Sequence, residues 1–75
     1  MTELIRFIAQ SLVDHPEDVD VRLVDGEEGA VIELRVNPDD MGKVIGKQGR
    51  IAKTIRAVLK AASVREGKLY TLDII

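Results

Sequence analysis

Between Val44-Ile45 and Ile51 lies Gly46-Lys47-Gln48-Gly49-Arg50, a G-x-x-G turn with polar inner positions that leads into a basic, helix-forming segment. Glycine at both ends lets the backbone take positive φ and leaves no Cβ to hold a ligand's backbone away. Successive amides in such a turn make a concave anion site, and Lys47 and Arg50 add charge where the amides point. That chemistry suits the phosphates of a nucleic acid. A nucleotide-binding P-loop is excluded, because it needs G-x-x-x-x-G-K-[ST] after a strand, and here both the spacing and the ending are absent. Catalysis has little to work with. His15, the only histidine, precedes Pro16 at a helix end, where a surface or capping role is expected. Glu17, Asp18, Asp20, Glu27 and Glu28 gather around a hairpin and read as a solvated acidic face. No spacing of metal ligands is visible, so the expectation is a non-enzymatic binding protein without cofactor or metal.

Charge supports the loop reading. Residues 1 to 40 carry eleven Asp/Glu against three Lys/Arg, whereas residues 41 to 75 carry eight Lys/Arg against two Asp/Glu. The formal net charge of −2 therefore conceals two opposed halves. No acid occurs from Met41 to Arg65, a stretch holding Lys43, Lys47, Arg50, Lys53, Arg56, Lys60 and Arg65. Such segregation points to a polyanion-binding face.

The elements that must position this loop are legible in the periodicities. Thr2 to Val13 reads as an amphipathic helix, with Leu4, Ile5, Ile8 and Leu12 on its apolar face, Thr2 as its cap and His15-Pro16 as its stop. Val19, Val21 and Leu23, then Ile32, Leu34 and Val36, alternate with polar residues on either side of a Gly-bearing loop, the pattern of an antiparallel hairpin. Asn37-Pro38-Asp39-Asp40 is a helix start: a capping side chain, proline at the first position, then acids at the positive end of the dipole. That helix runs to about Ile45. A longer one from Arg50 to Ser63 places Ile51, Ile55, Val58, Leu59 and Ala62 on one face and Lys53, Arg56 and Lys60 nearly opposite. Lys68 to Ile75 alternates as a closing strand, so the order is α-β-β-α-α-β in one domain spanning residues 1–75.

Size and composition bound the rest. A chain of 75 residues buries only ~60 % of its unfolded surface, which leaves little room for an enclosed enzyme cleft. There is no cysteine, and Phe7 and Tyr70 are the only aromatics. No apolar run approaches the ~18 residues of a membrane span, and the N-terminus lacks the pattern of a secretory signal; a cytoplasmic protein without membrane contact is expected.

With G-x-x-G between its fourth and fifth elements, this order resembles the type II K-homology (KH) domain over essentially the whole chain. The run Met41-Gly42-Lys43-Val44-Ile45-Gly46-Lys47-Gln48-Gly49-Arg50, continuing Ile51-Ala52-Lys53-Thr54-Ile55-Arg56, resembles the KhpA family of small bacterial RNA-binding proteins. The resemblance implies an α+β fold with a three-stranded sheet and helices packed on one face. It also implies binding of single-stranded RNA, a role as RNA chaperone or post-transcriptional regulator, and a larger KH-containing partner, KhpB (Jag/EloR), with links to cell shape and peptidoglycan homeostasis. In KH domains the loop clamps about four nucleotides and the bases lie in an adjoining groove. Carried onto this chain, Gly46, Lys47, Gln48, Gly49 and Arg50 form the clamp, Ile45 and Ile51 the apolar groove floor, and Lys43 and Lys53 an extended phosphate track, with Val44 in the core. No aromatic occurs in residues 41 to 65, so the stacking that strengthens many single-strand binders is missing there and affinity should be modest.

Two alternatives stay open at this level. Ala57, Ala61 and Ala62 leave part of the long helix small, as in a module whose main work is dimerisation. A short helix, a glycine turn and a basic helix also fit helix-turn-helix DNA binding, although that leaves the hairpin and last strand unexplained.

Overall fold

The computed structural model describes residues 1–27, 29–46 and 49–75. In chain order it has α1 (Thr2–Leu12), a single 3-10 turn (Pro16–Asp18), β1 (Asp20–Asp25), β2 (Ala30–Arg35), α2 (Pro38–Ile45), α3 (Arg50–Glu66) and β3 (Tyr70–Ile74). Three α-helices and a three-stranded sheet make an α+β fold in the order α-β-β-α-α-β.

The sheet order is β1-β2-β3, with β1 and β2 antiparallel and β2 and β3 parallel. A parallel pair needs a crossover connection. Here α2 and α3 form it, which carries β3 past the hairpin to the far side of β2. The registers Ala30↔Tyr70, Ile32↔Leu72 and Leu34↔Ile74 place these residues on one face. That face meets the helices: Ile32 and Leu34 are fully buried with Ile5, Val44, Ile55 and Leu59. Burial of each such side chain contributes roughly 1.5–3 kcal/mol, so α2 and α3, which flank the glycine loop, are anchored directly to the core. The alternate positions Arg22, Glu33, Arg35, Thr71 and Asp73 carry the other face, exposed or half-buried.

Several local expectations are corrected. Thr2 is the first helical residue of α1, not its cap; Met1 holds the cap position, without a side-chain hydrogen bond. On α1 the buried positions are Ile5 and Ala9, while Leu4 and Leu12 remain about half exposed. Three- and four-residue spacing marks a face but not how far its neighbours cover it. Leu23 is likewise exposed, because it lies near the hairpin end of an edge strand. The long helix runs three residues beyond Ser63, to Glu66. Its true stop is Gly67, which takes the left-handed conformation (φ 66°) and donates its N–H to Ser63 O.

Asp40 was expected only as a dipole-compensating acid. It is in fact the one buried charged side chain among the described residues, and its two carboxylate oxygens accept the backbone N–H groups of Asp14 and His15, each at 3.0 Å. The start of α2 is thus bolted to the end of α1.

Candidate nucleic-acid interface

The loop begins where α2 ends. Asn37 caps α2 through Oδ1, which accepts the Asp39 N–H at 2.8 Å, while Pro38 fills the first helical position as the sequence indicates. At the other end Gly46 donates its N–H to Gly42 O at 2.7 Å. A Cβ on Gly46 would lie 2.3 Å from that same carbonyl oxygen, so this glycine is required by close packing and not by positive φ. Gly49 is required differently: its φ of 63° is left-handed, it precedes α3 as the helix cap, and its N–H returns to Gly46 O at 2.7 Å. Nothing lies within 4 Å of a Cβ built there. The backbone at Gly49 is therefore open to an incoming ligand. The two residues between them, Lys47 and Gln48, lie outside the described residues.

From Gly49 the chain enters α3, whose first turn has no acid and no side-chain cap. Its free amides and the positive end of its dipole are left for an anion. Arg50 and Lys53 are exposed on this turn. Among the described residues neither has an acidic partner, in contrast to Lys43, which pairs with Asp14 at the end of α1. Lys43 therefore brings less unbalanced charge than its place in the sequence suggests.

The expected site residues divide between two sides of α3. Ile45 and Gly49 line one groove with Ala52, Lys53, Arg56 and Ile74, a space of about 290 Å³ between the loop, α3 and β3. Lys43, Arg50 and Ile51 line another with Leu12 and Thr54, on the α1 side. Ile45 is exposed and Val44 is buried, as expected, but Ile51 is itself almost fully buried in the core. Ile45 and Ile51 thus do not floor one groove; the apolar partners of Ile45 are Ala52 and Ile74. Ile74 escaped the sequence reading because only the parallel docking of β3 brings it to the loop.

β3 contributes a second feature. It is an edge strand, and Leu69 O and Ile75 N–H both bond to β2. Backbone groups of successive residues alternate sides, so those of Tyr70, Leu72 and Ile74 point to the free edge. The Tyr70 N–H is taken by Ser63 Oγ at 2.9 Å, which straps β3 to α3, while Leu72 and Ile74 offer backbone donors and acceptors along the groove. Tyr70 also donates its hydroxyl to Glu66 Oε1 at 2.8 Å, and that bond raises its pKa above the ordinary tyrosine value.

Among the described residues the acidic side chains show no catalytic arrangement. His15 is half-buried, 3.7 Å from Glu17 and 3.8 Å from Asp39. The 3-10 turn places a ligand atom from each of His15, Glu17 and Asp18 within 4.8 Å of the others, a proximity not apparent from the sequence. Asp18 there accepts a hydrogen bond from the Asn37 side chain, so this group serves the α2 cap. Among the described residues no helix is long and apolar enough to cross a membrane.

Comparison with known proteins identifies the family of the chain. Residues 2–74 match the family described as KhpA/KhpB, KH domain. The chain is 61 % identical over all 75 residues to the RNA-binding protein KhpA of Clostridium perfringens, and 57 % identical to that of Clostridium acetobutylicum, each alignment covering both chains completely. A more distant relative, the RNA-binding protein KhpA of Aquifex aeolicus, is 44 % identical across the whole of this chain and 95 % of its own.

Proposed function

Since the chain belongs to the KhpA/KhpB family of KH domains, we propose that it binds single-stranded RNA without catalysis, as a single KH domain over residues 1–75 that clamps phosphates at Gly46-Lys47-Gln48-Gly49. The observation that carries the reading is the open backbone at left-handed Gly49, leading into a helix start with exposed Arg50 and Lys53 and no acid in its first turn. Phosphates sit against these amides and Arg50, with Lys47 and Gln48 completing the clamp and Lys43 and Lys53 flanking it. Bases lie in the groove floored by Ile45, Ala52 and Ile74, where the free edge of β3 meets their polar edges. Ile51 holds the first turn of α3 in the core, so its role is to support the clamp.

The wider role follows from the same kinship: an RNA chaperone or post-transcriptional regulator in the cytoplasm, working with a KhpB (Jag/EloR) partner and linked to cell shape and wall homeostasis. Self-association is a second, compatible reading. It is favoured by apolar surface that α1 and α3 leave uncovered: Leu4 beside Ala61 and Ala62 in one shallow cavity, and Phe7 exposed on α1.

The test is fluorescence anisotropy of a labelled single-stranded RNA with wild type and the Lys47→Asp, Gln48→Asp double variant, with thermal melts to establish that both fold. Loss of most binding by the folded variant is expected. Equal binding by both proteins overturns the loop as the clamp, and binding by neither hands the leading role to self-association.

A further inference from the structure

The groove beside the loop does not end at Arg56. A second hollow, of about 330 Å³, is lined by Arg56, Leu59, Lys60 and Ser63 of α3 and by Leu69 to Leu72 of β3 and the residue before it. Arg56 lines both spaces. On α3 the lining positions 49, 52/53, 56, 59/60 and 63/64 succeed one another at helical spacing, so they form one continuous stripe. β3 runs back along that stripe, with Ile74 at the loop end and Leu69 at the far end. The two hollows are successive stretches of a single seam.

Its walls differ. The floor is apolar, and Val64 and Leu69 are left 80 % and 58 % exposed at its far end. The α3 rim is cationic: Lys53, Arg56 and Lys60 span about 10 Å of helix, and among the described residues none of them has an acidic partner. At the far end stands Tyr70, the aromatic surface that residues 41 to 65 lack. Its hydroxyl is fixed to Glu66, and Lys68 Nζ lies 5.8 Å from its ring centre. Two acids stand near this end of the seam, Glu66 on the Tyr70 hydroxyl and Asp25 paired with Lys68. An apolar floor with an aromatic at one end and unpaired cations along one rim matches a strand with flat apolar bases on one side and phosphates on the other.

We propose that the α3–β3 seam beyond Arg56 is a second compartment for the same RNA strand, with phosphates on Arg56 and Lys60 and at least one base against Tyr70 and Leu72. This rests on the RNA reading above and adds to it a binding track longer than the loop's four nucleotides. Charge complementarity favours RNA over an apolar polypeptide segment as the occupant, because a polypeptide would leave the cationic rim unmatched.

The test compares fluorescein-labelled tetra-adenylate and octa-adenylate RNA by anisotropy on wild type, Lys60→Gln, Tyr70→Leu and Arg65→Gln, each checked by thermal melt. Arg65 lies on the α1 side of α3 and serves as the charge control. Once the roughly fivefold statistical advantage of the overlapping tetramer registers in an octamer is divided out, wild type is expected to bind the octamer at least about fivefold tighter than the tetramer, as one stacked base implies. Lys60→Gln and Tyr70→Leu should lose that gain with tetramer affinity unchanged, and Arg65→Gln should keep it. Lys60 is exposed, so its variant keeps the test decisive even if the half-buried Tyr70 does not tolerate leucine. Equal affinity for both lengths after that division overturns the proposal and leaves the seam to a polypeptide. Loss of the gain in Arg65→Gln as well overturns it in favour of diffuse electrostatics. Binding of neither RNA by wild type overturns the RNA reading itself, and this proposal with it.

Discussion

Gly49 and Gly67 form a matched pair that separates the stability of the fold from the accessibility of the loop. Both take the left-handed conformation, at φ 63°, ψ 34° and φ 66°, ψ 28°, and a Cβ built on either meets nothing within 4 Å. Substitution by alanine therefore adds backbone strain alone, about 1–2 kcal/mol in each case. For a domain of this size that lowers the melting temperature by roughly 5–15 °C, and by nearly the same amount in both variants. Their effects on RNA should differ. At Gly49 the added methyl enters the space proposed for a phosphate, where loss of one charge-assisted hydrogen bond at about 1.5–3 kcal/mol should weaken binding roughly tenfold or more. Gly67 lies at the opposite end of α3, and its variant should bind as wild type does once both are folded at the assay temperature. Thermal denaturation followed by circular dichroism gives the first comparison, and anisotropy with single-stranded RNA well below both midpoints gives the second. Full RNA affinity in Gly49→Ala would refute the close approach of RNA to this backbone. An equal loss in Gly67→Ala would show that affinity merely tracks stability.

Replacing Asp40 with alanine strands the N–H groups of Asp14 and His15; both are only partly buried, so each costs the lower part of the about 1–3 kcal/mol of an unpaired buried donor, and thermal or urea unfolding should show a loss of roughly 2–4 kcal/mol. With about three phosphates neutralised at the loop, the logarithm of the RNA association constant should fall against the logarithm of salt concentration with a slope near −2, at ~0.7 per contact; anisotropy titrations across a salt series measure it, and a flat line contradicts the electrostatic account. Tyr70 should ionise above the usual tyrosine pKa of about 10, because its hydroxyl donates to Glu66 in the fold. The proton is held more tightly in the folded state, so the stability this bond adds is complete below the unfolded pKa and fades as pH rises through the folded one. Ultraviolet titration of the phenolate should show the midpoint fall towards the ordinary value in Glu66→Ala.

What the sequence determined on its own was whatever depends on neighbours a few residues apart. Alternation at Ile32, Leu34 and Val36 marks a strand wherever it packs. The Asn37-Pro38 start of α2 forms as read because the cap side chain, the fixed proline φ and the amides it satisfies lie within one turn. The G-x-x-G spacing likewise marks the loop, and the missing acids between Met41 and Arg65 mark the charge of its surroundings. Local spacing cannot report how far each face is covered, which is why Leu4, Leu12 and Leu23 are exposed where the pattern suggested core. It also cannot report pairings across long stretches of chain. Only the tertiary structure ties Lys43 to Asp14 and turns Asp40 into a buried clamp on the end of α1. Above all, the crossover through α2 and α3 lays β3 parallel to β2 with a free edge towards α3, and so makes Ile74 a neighbour of a loop more than twenty residues earlier and Leu72 and Tyr70 neighbours of the later turns of α3. The proposed clamp could be read from the sequence because glycine spacing and local charge are properties of a short segment; the groove could not, because its second wall comes from a strand placed by the packing of the whole domain.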